Sequence, residues 1–330
     1  MNKLLKFKEF SQDPKIQILM RGTIGLTSKA DELVTKLMKE LYDDWIHLVL
    51  IKKYQDYNRA ERIPDNRRWN DINYSLPILN MTSRPHVLLE NPRAKIYNKI
   101  HDYPVSADKV MFSKIFSGSK FLPKTVFQER EINQLEFPII AKPKAGFSAQ
   151  GIELFKTKEE ALESMTEFDL WSEAKNIKTE FRLFIMNGEI IHLAERIKNS
   201  KNDKSVGSKD KDEKIDLVYI DQDWKTFPEN LKSKLLILHE EVKQKVNLDF
   251  YDIDLILDTE EEFWVPEING APGIGPSMFS AIYTAWIEMT LNRPPKESTI
   301  QRLNQIRDIH REFMKNTYKK EYQVSINPVK

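Results

Sequence analysis

Asp254, Glu267 and Asn269 are of the types, and at the spacing, that bind a hard cation. They fall in Tyr251–Gly273, YDIDLILDTEEEFWVPEINGAPG, which reads as two short strands, Tyr251–Leu257 and Phe263–Ile268. The acidic turn Asp258–Glu262 joins them. Glu267 and Asn269 are two apart, so on an extended chain both side chains share one face. Antiparallel pairing sets Asp254 across the ladder from them, gathering two carboxylates and a carboxamide oxygen on one surface. Such a surface suits Mg²⁺ and phosphate rather than zinc. An ordinary hairpin with a polar face shows the same pattern, so this stretch alone decides nothing.

A second set lies in Phe137–Phe155, FPIIAKPKAGFSAQGIELF, where Ile139–Lys142 and Ile152–Phe155 read as strands. The intervening loop carries Lys144, Gly146, Ser148, Gln150 and Gly151. With so little side-chain bulk, such a loop can lay backbone N–H groups against phosphate oxygens. It lacks the GxxxxGK[ST] pattern and the following helix of a P-loop. A glycine-containing hairpin is more often only a hairpin, but Lys142 ends its first strand, and an inward lysine needs a charged partner. A third set, Arg182, Glu195 and Arg196, places charge on the otherwise apolar strands Glu180–Ile185 and Glu189–Arg196. Asn187-Gly188 between them is a type I′ hairpin signal.

The elements that must carry these residues follow from periodicity. Lys15–Met20 and Ile46–Ile51 read as strands flanking a helix capped by Ser28, with Ala30, Leu33, Val34, Leu37, Met38 and Leu41 on one face. Strand–helix–strand order predicts a small α/β lobe with parallel pairing. Tyr54–Ser75 is polar and irregular, His86–Leu89 a short strand, and the stretch after it a loop or short helix near a cleft. Ser106 is expected to cap ADKVMFSKIF, which Gly118 ends. Thr125–Phe127 and Asp169–Glu173 read as strands, the latter ending at a lobe junction, and a helix starts near Lys158. Leu231, Leu235, Leu238, Val242 and Val246 mark an amphipathic helix. Pro276–Leu291 reads as a largely apolar helix and Thr299–Thr317 as a charged, exposed one. Lys198–Lys214 mixes lysines with acids and reads as a solvated loop.

The 330 residues are enough for two or three lobes, since single cores rarely grow beyond about 250–300 residues. Apolar content of 40% marks a globular chain. The net charge of +1 supplies no global field for nucleic acid or acidic membranes. With no cysteine, disulfides, thiolate metal sites and cysteine nucleophiles are excluded. Nothing approaches an apolar run of ~18 residues, and MNKLLKFKEF lacks the features of a signal peptide, so the chain reads as soluble and cytoplasmic. Its Lys, Asn and Ile usage suits a bacterial or viral origin.

In this order the elements over about residues 105–290 resemble the ATP-grasp superfamily, in its carboxylate–amine ligase branch. Ribosomal-protein glutamate ligases, D-alanine–D-alanine ligase and glutathione synthetases are similar in arrangement. The resemblance implies an α/β and α+β chain: a pre-ATP-grasp lobe over 1–104, a central subdomain over 105–185, a metal-bearing subdomain over 186–295, and a tail over 296–330. It implies ATP and Mg²⁺ (or Mn²⁺) as cofactors. Lys109 in SADKVMF and Lys142 in IIAKP look like the family's nucleotide lysines, and Gly146–Gly151, with Lys144, Ser148 and Gln150, like the loop closing over the triphosphate. Glu173 falls near the segment that meets adenine and ribose. Arg182 and Arg196 look like the arginines facing the transferred phosphate and acyl intermediate. Asp254, Glu267 and Asn269 match the metal ligands. The family's usual glycine before the first metal carboxylate's strand is Asp252 here, leaving Asp252 and Asp254 to choose between; Asp254 is preferred because Ile253 and Leu255 then alternate onto the other face.

The implied reaction is amide or peptide bond formation through an acyl phosphate, with ADP and phosphate released. Two other readings stay open: a phosphotransferase on a small carboxylate or hydroxyl, and a nucleotide-binding module without turnover. The expected partners are small carboxylate and amine substrates, an amino acid or peptide first, with a macromolecular acceptor as the other choice and neither membrane nor nucleic acid. They would be read by Tyr54–Arg93 and Lys198–Lys214, which carry no decodable signature. Oligomeric state stays open, a dimer included.

Overall fold

In the computed structural model, the described residues are 13–21, 32–51, 75–81, 95–99, 104–144, 151–163, 168–197 and 218–326. Strands β1 (Ile16–Arg21), β2 (Ile46–Ile51), β3 (Ile78–Met81) and β4 (Ile96–Tyr97) form one sheet in the order β2-β1-β3-β4, parallel throughout. Helix α1 (Glu32–Asp44) makes the crossover between β1 and β2, burying Leu37 and Leu41. The small parallel α/β lobe is as the strand–helix–strand order predicts. The expected cap Ser28 and the expected strand His86–Leu89 lie outside the described residues. In this sheet Ile78–Met81 went unread, and Ile96–Tyr97, within the stretch expected to be a loop or short helix, is a strand instead; both are too short to show a period.

Chain direction then changes from parallel to antiparallel. Helices α2 (Pro104–Ala107) and α3 (Lys109–Ile115) lead to β5 (Thr125–Val126), a 3₁₀ turn over Glu129–Gln134, β6 (Ile139–Lys142), β7 (Glu153–Phe155), α4 (Lys158–Glu163) and β8 (Leu170–Glu173). The four strands pair as β5-β8-β6-β7. Ser106 is not the cap of α3: Asp108 is, its Oδ1 accepting the Met111 N–H at 2.9 Å. One face of this sheet buries Ile139, Ala141, Phe155 and Trp171 with Ile132 and Ala161. Alternation therefore sends Lys142 to the opposite face.

The third sheet is five-stranded and wholly antiparallel, in the order β11-β10-β9-β12-β13. Its members are β9 (Ile177–Met186), β10 (Glu189–Ile197), β11 (Val218–Asp221), β12 (Phe250–Asp258) and β13 (Phe263–Asn269). The boundary expected after residue 185 thus falls within one hairpin, while residues 174–176 carry the chain from the second sheet to the third. Asn187 (φ 52) and Gly188 (φ 73) both take the left-handed region a type I′ turn requires. Leu183, Ile185, Tyr251, Ile253 and Leu255 bury one face against α5 (Glu229–Lys245), each such side chain contributing about 1.5–3 kcal/mol.

The other face is divided. Phe184, Met186 and Phe250 pack with the amino-terminal lobe and with Phe279, Tyr283 and Trp286 of α6 (Pro276–Leu291), which is core rather than surface. Beyond them stand the polar residues of β9, β12 and β13. The charged helix α7 (Glu297–Ile326), longer than its expected span, packs back through Leu303 and Ile306. Asn98 ties the first lobe to this sheet. Its Nδ2 donates to Phe250 O at 2.6 Å, its Oδ1 accepts the Phe250 N–H at 2.7 Å, and its own N–H donates to Asp249 at 2.6 Å. Holding a left-handed φ of 57 while buried, it does what few residues can.

Candidate active site

The Asp254–Glu267 pairing is a register fact: the two are direct partners across β12 and β13, and Asp252 is opposite Asn269. On the other side of β12, Asp254 pairs with Arg182 and Asp252 with Phe184. Asp252, Asp254, Arg182, Glu267 and Asn269 therefore share one sheet face. Alternation did not separate Asp252 from Asp254; burial does. Asp252, beside Phe184 in the register, is wholly inaccessible, whereas Asp254 is partly exposed.

Arg182 Nε donates to Asp254 Oδ1 at 2.8 Å and lies 3.1 Å from Asp252 Oδ2. Asn269 Nδ2 donates to Asp252 Oδ1 at 2.8 Å and to Asp254 Oδ2 at 3.1 Å. Burial pushes the Asp252 carboxyl well above the usual carboxylate range; Arg182 and Asn269 pull it down, while the charges of Asp254 and Glu267 push it further up.

The second sheet and α3 supply the cations. Lys109, the first residue of α3, reaches Glu267 Oε2 at 3.2 Å. Its own N–H donates to Lys144 O at 2.9 Å, fixing the start of α3 to the end of β6. Lys142 faces the same space. Desolvation lowers its ammonium from 10.5 to about 8 although part of the side chain meets solvent; the Glu267 carboxylate raises it and Lys109 lowers it further. Lys109, Lys142 and Glu267, from three elements, thus act on one another.

Other expected residues stand at the margin. Lys144 is exposed and pairs with Asp108 at 3.1 Å, while its N–H donates to Asp169 at 2.6 Å. Gly151 has φ 72, and a Cβ there would come within 3.2 Å of Pro143. Gly146, Ser148 and Gln150 lie outside the described residues. Glu173, at the end of β8, accepts the Glu136 N–H at 3.3 Å and pairs with Lys175 at 3.3 Å. Lys175 Nζ also lies 4.1 Å from the Trp264 ring centroid, bridging the two sheets beside the site. Arg196 is bonded to Glu180. Sequence reading missed Glu180, Lys175 and Trp264. Glu180 was within reach, since it is two residues before Arg182 and so shares its face.

The donors fit a magnesium ion in type: two carboxylates and a carboxamide, all oxygen. Among the described residues no three His, Cys, Asp or Glu side chains form a closed metal cage. A Mg²⁺ site typically uses one or two carboxylates, the remaining ligands being water and phosphate oxygens.

No protein-family model and no curated protein sequence matches the chain. Solved structures do. The chain superposes on N5-carboxyaminoimidazole synthetase from Staphylococcus aureus with a TM-score of 0.55 at 12% identity, covering 86% of this chain and 80% of that one. On the corresponding ribonucleotide synthetase from Thermotoga maritima the TM-score is 0.53 at 16% identity, covering 86% and 77%. D-alanine–D-alanine ligase from Bacillus anthracis gives 0.54 at 15% identity, covering 85% and 97%. The fold of this chain is the ATP-grasp fold.

Proposed function

We propose that the protein is an ATP-dependent carboxylate–amine ligase. The observation that carries the reading is the meeting of Lys109, Lys142 and Glu267, two cations and a carboxylate from three separate elements, at the face bearing Asp254 and Asn269. A core does not collect such charge without a ligand to balance it. Polyphosphate takes up the lysines, and the oxygen donors suit the cation that accompanies it.

In this reading Lys109 and Lys142 bind the phosphates and draw charge from them. Mg²⁺, held by Asp254, Glu267 and Asn269, supplies further charge neutralisation at the phosphate oxygens. An oxygen of the substrate carboxylate attacks the γ-phosphorus, the β–γ bridging P–O bond breaks, and ADP departs, leaving an acyl phosphate. The amine nitrogen then attacks the acyl carbon, the C–O bond to phosphate breaks, phosphate leaves, and the nitrogen gives up a proton. Arg182 and Arg196, on one sheet face, stabilise the oxyanion and the leaving phosphate. Positioning and charge do most of this work, as phosphoryl transfer requires.

The test is ADP release from MgATP with pooled amino acids and small carboxylates, followed by mass spectrometry, with Glu267→Ala as control. Acceptor-dependent ADP and an amide product are expected. A stable phosphorylated product would replace the ligase by a phosphotransferase, and ATP binding without any acceptor-dependent ADP would leave a binding module.

A further inference from the structure

The mechanism above has no use for Asp252, yet this carboxylate is wholly buried, and its Oδ2 has an ion-pair contact with Arg182 Nε at 3.1 Å but no well-formed hydrogen bond. Leaving a buried oxygen so placed costs free energy, and the cost calls for a compensating role. Its Oδ1 accepts from Asn269 Nδ2 at 2.8 Å, and that same Nδ2 donates to Asp254 Oδ2 at 3.1 Å. Asp252 meets donors on both oxygens, Asn269 Nδ2 at Oδ1 and Arg182 Nε at Oδ2, so the amide faces both aspartates with its NH₂ end. The oxygen end of Asn269 is thereby turned away from the aspartates. Without Asp252, Asn269 would have one acceptor instead of two to choose its orientation by, and a flip would point two donors at an incoming cation. Arg182 Nε, 3.1 Å from Oδ2, keeps the Asp252 carboxylate in its buried seat.

We propose that Asp252 is a positioning residue for the cation site: it does not bind the ion but holds the Asn269 carboxamide with its oxygen presented. This rests on the ligase reading only in that a divalent cation is bound with ATP at Asp254, Glu267 and Asn269. It gives the departure from the family's glycine a purpose. Asp254 and Asp252 divide the work between them, the exposed carboxylate meeting the ion and the buried one orienting its neighbour.

The test is a double-mutant cycle read by Mn²⁺ affinity in the presence of ATP, following free Mn²⁺ by electron paramagnetic resonance, with thermal unfolding as a fold control. Asp252→Asn preserves shape but offers one acceptor where Asn269 and Arg182 present two donors. It is expected to weaken Mn²⁺ about 10-fold or more, the usual effect of losing an outer-shell partner. ATP affinity without metal should change little. Asn269→Ala should weaken Mn²⁺ similarly. The double variant should bind no more than about twofold worse than Asn269→Ala alone, because Asp252 acts through Asn269.

Additive losses in the cycle, or an unchanged Mn²⁺ affinity in Asp252→Asn, would overturn the proposal while leaving the ligase reading in place. Failure of the unmodified protein to bind Mn²⁺ with ATP would overturn both. If Asp252→Asn gives no cooperative unfolding transition, Asp252→Ser, which keeps one acceptor in less volume, takes its place in the cycle with the same criteria.

Discussion

Arg182 and Asp254 are register partners on adjacent antiparallel strands and form a 2.8 Å ion pair, with Asp252 3.1 Å from the same guanidinium nitrogen. One arginine thus serves two carboxyls that the sheet places side by side on one face.

Removing that arginine leaves two carboxyls without their shared donor. Arg182→Ala is expected to lower unfolding free energy by about 1.5–3 kcal/mol, the range for a hydrogen bond to a charged group, since the pair is only partly buried. Mg²⁺ should restore more stability to the variant than to the parent, since a cation can replace the lost charge. Urea titrations with and without Mg²⁺ measure both. Arg182→Lys should recover only part, lacking the planar fork.

Lys142 sets a pH dependence. Its folded pKa of about 8 lies below the usual 10.5, so between these values the unfolded chain holds the proton and the native one does not. Stability contributed through Lys142 therefore rises with pH from about 8 to 10.5. Phosphate binding favours the charged form, so ATP binding near pH 9 should take up a proton. Calorimetry in buffers of different ionisation enthalpy should show this uptake in the parent and its loss in Lys142→Met.

Glu267 has two roles to lose. Its carboxylate pairs with Lys109 and is the group raising the Lys142 pKa. Glu267→Ala should abolish most acceptor-dependent ADP release, at least 100-fold, through the lost donor, with fold retained by circular dichroism. It should also shift the pH range of ATP binding downward, as Lys142 loses its proton more readily. Near-normal turnover in this variant would exclude the proposed cation site.

Away from the site, Asp221 of β11 holds α7 in place. It lies 2.9 Å from His192, 3.0 Å from Ser277 Oγ and 2.6 Å from Arg311 Nε. Burial alone would raise its pKa, but the bonds to His192 and Arg311 bring it down to about 2 from 3.8. The stabilisation is present above pH 3.8 and is lost as pH falls to about 2, on the order of 2 kcal/mol. Urea midpoints compared at pH 5 and pH 2.5 should show this loss in the parent and much less of it in Asp221→Asn.

The sequence by itself determined the parts whose signals are local. Two-residue alternation defined the β12–β13 hairpin and put Glu267 and Asn269 on one face; Asn187-Gly188 marked the β9–β10 turn, and helical spacing found α5 and α6. Those signals survive because neighbouring residues share one backbone geometry. The very short β3 and β4 escaped because their stability comes from a parallel ladder to distant strands rather than from their own pattern. Ser106 was the expected cap, but α3 begins at Lys109 and its cap is Asp108, whose side chain accepts the Met111 N–H.

Tertiary structure alone decided the electrostatics. Asp252 and Asp254 are equivalent in alternation and differ in burial, the first wholly inaccessible and the second partly exposed. Arg182 pairs with Asp254 across 72 residues of chain, and Lys109 with Glu267 at 3.2 Å from a different element. Burial and ion pairing depend on what arrives from elsewhere in the chain, and no local window of sequence contains that information.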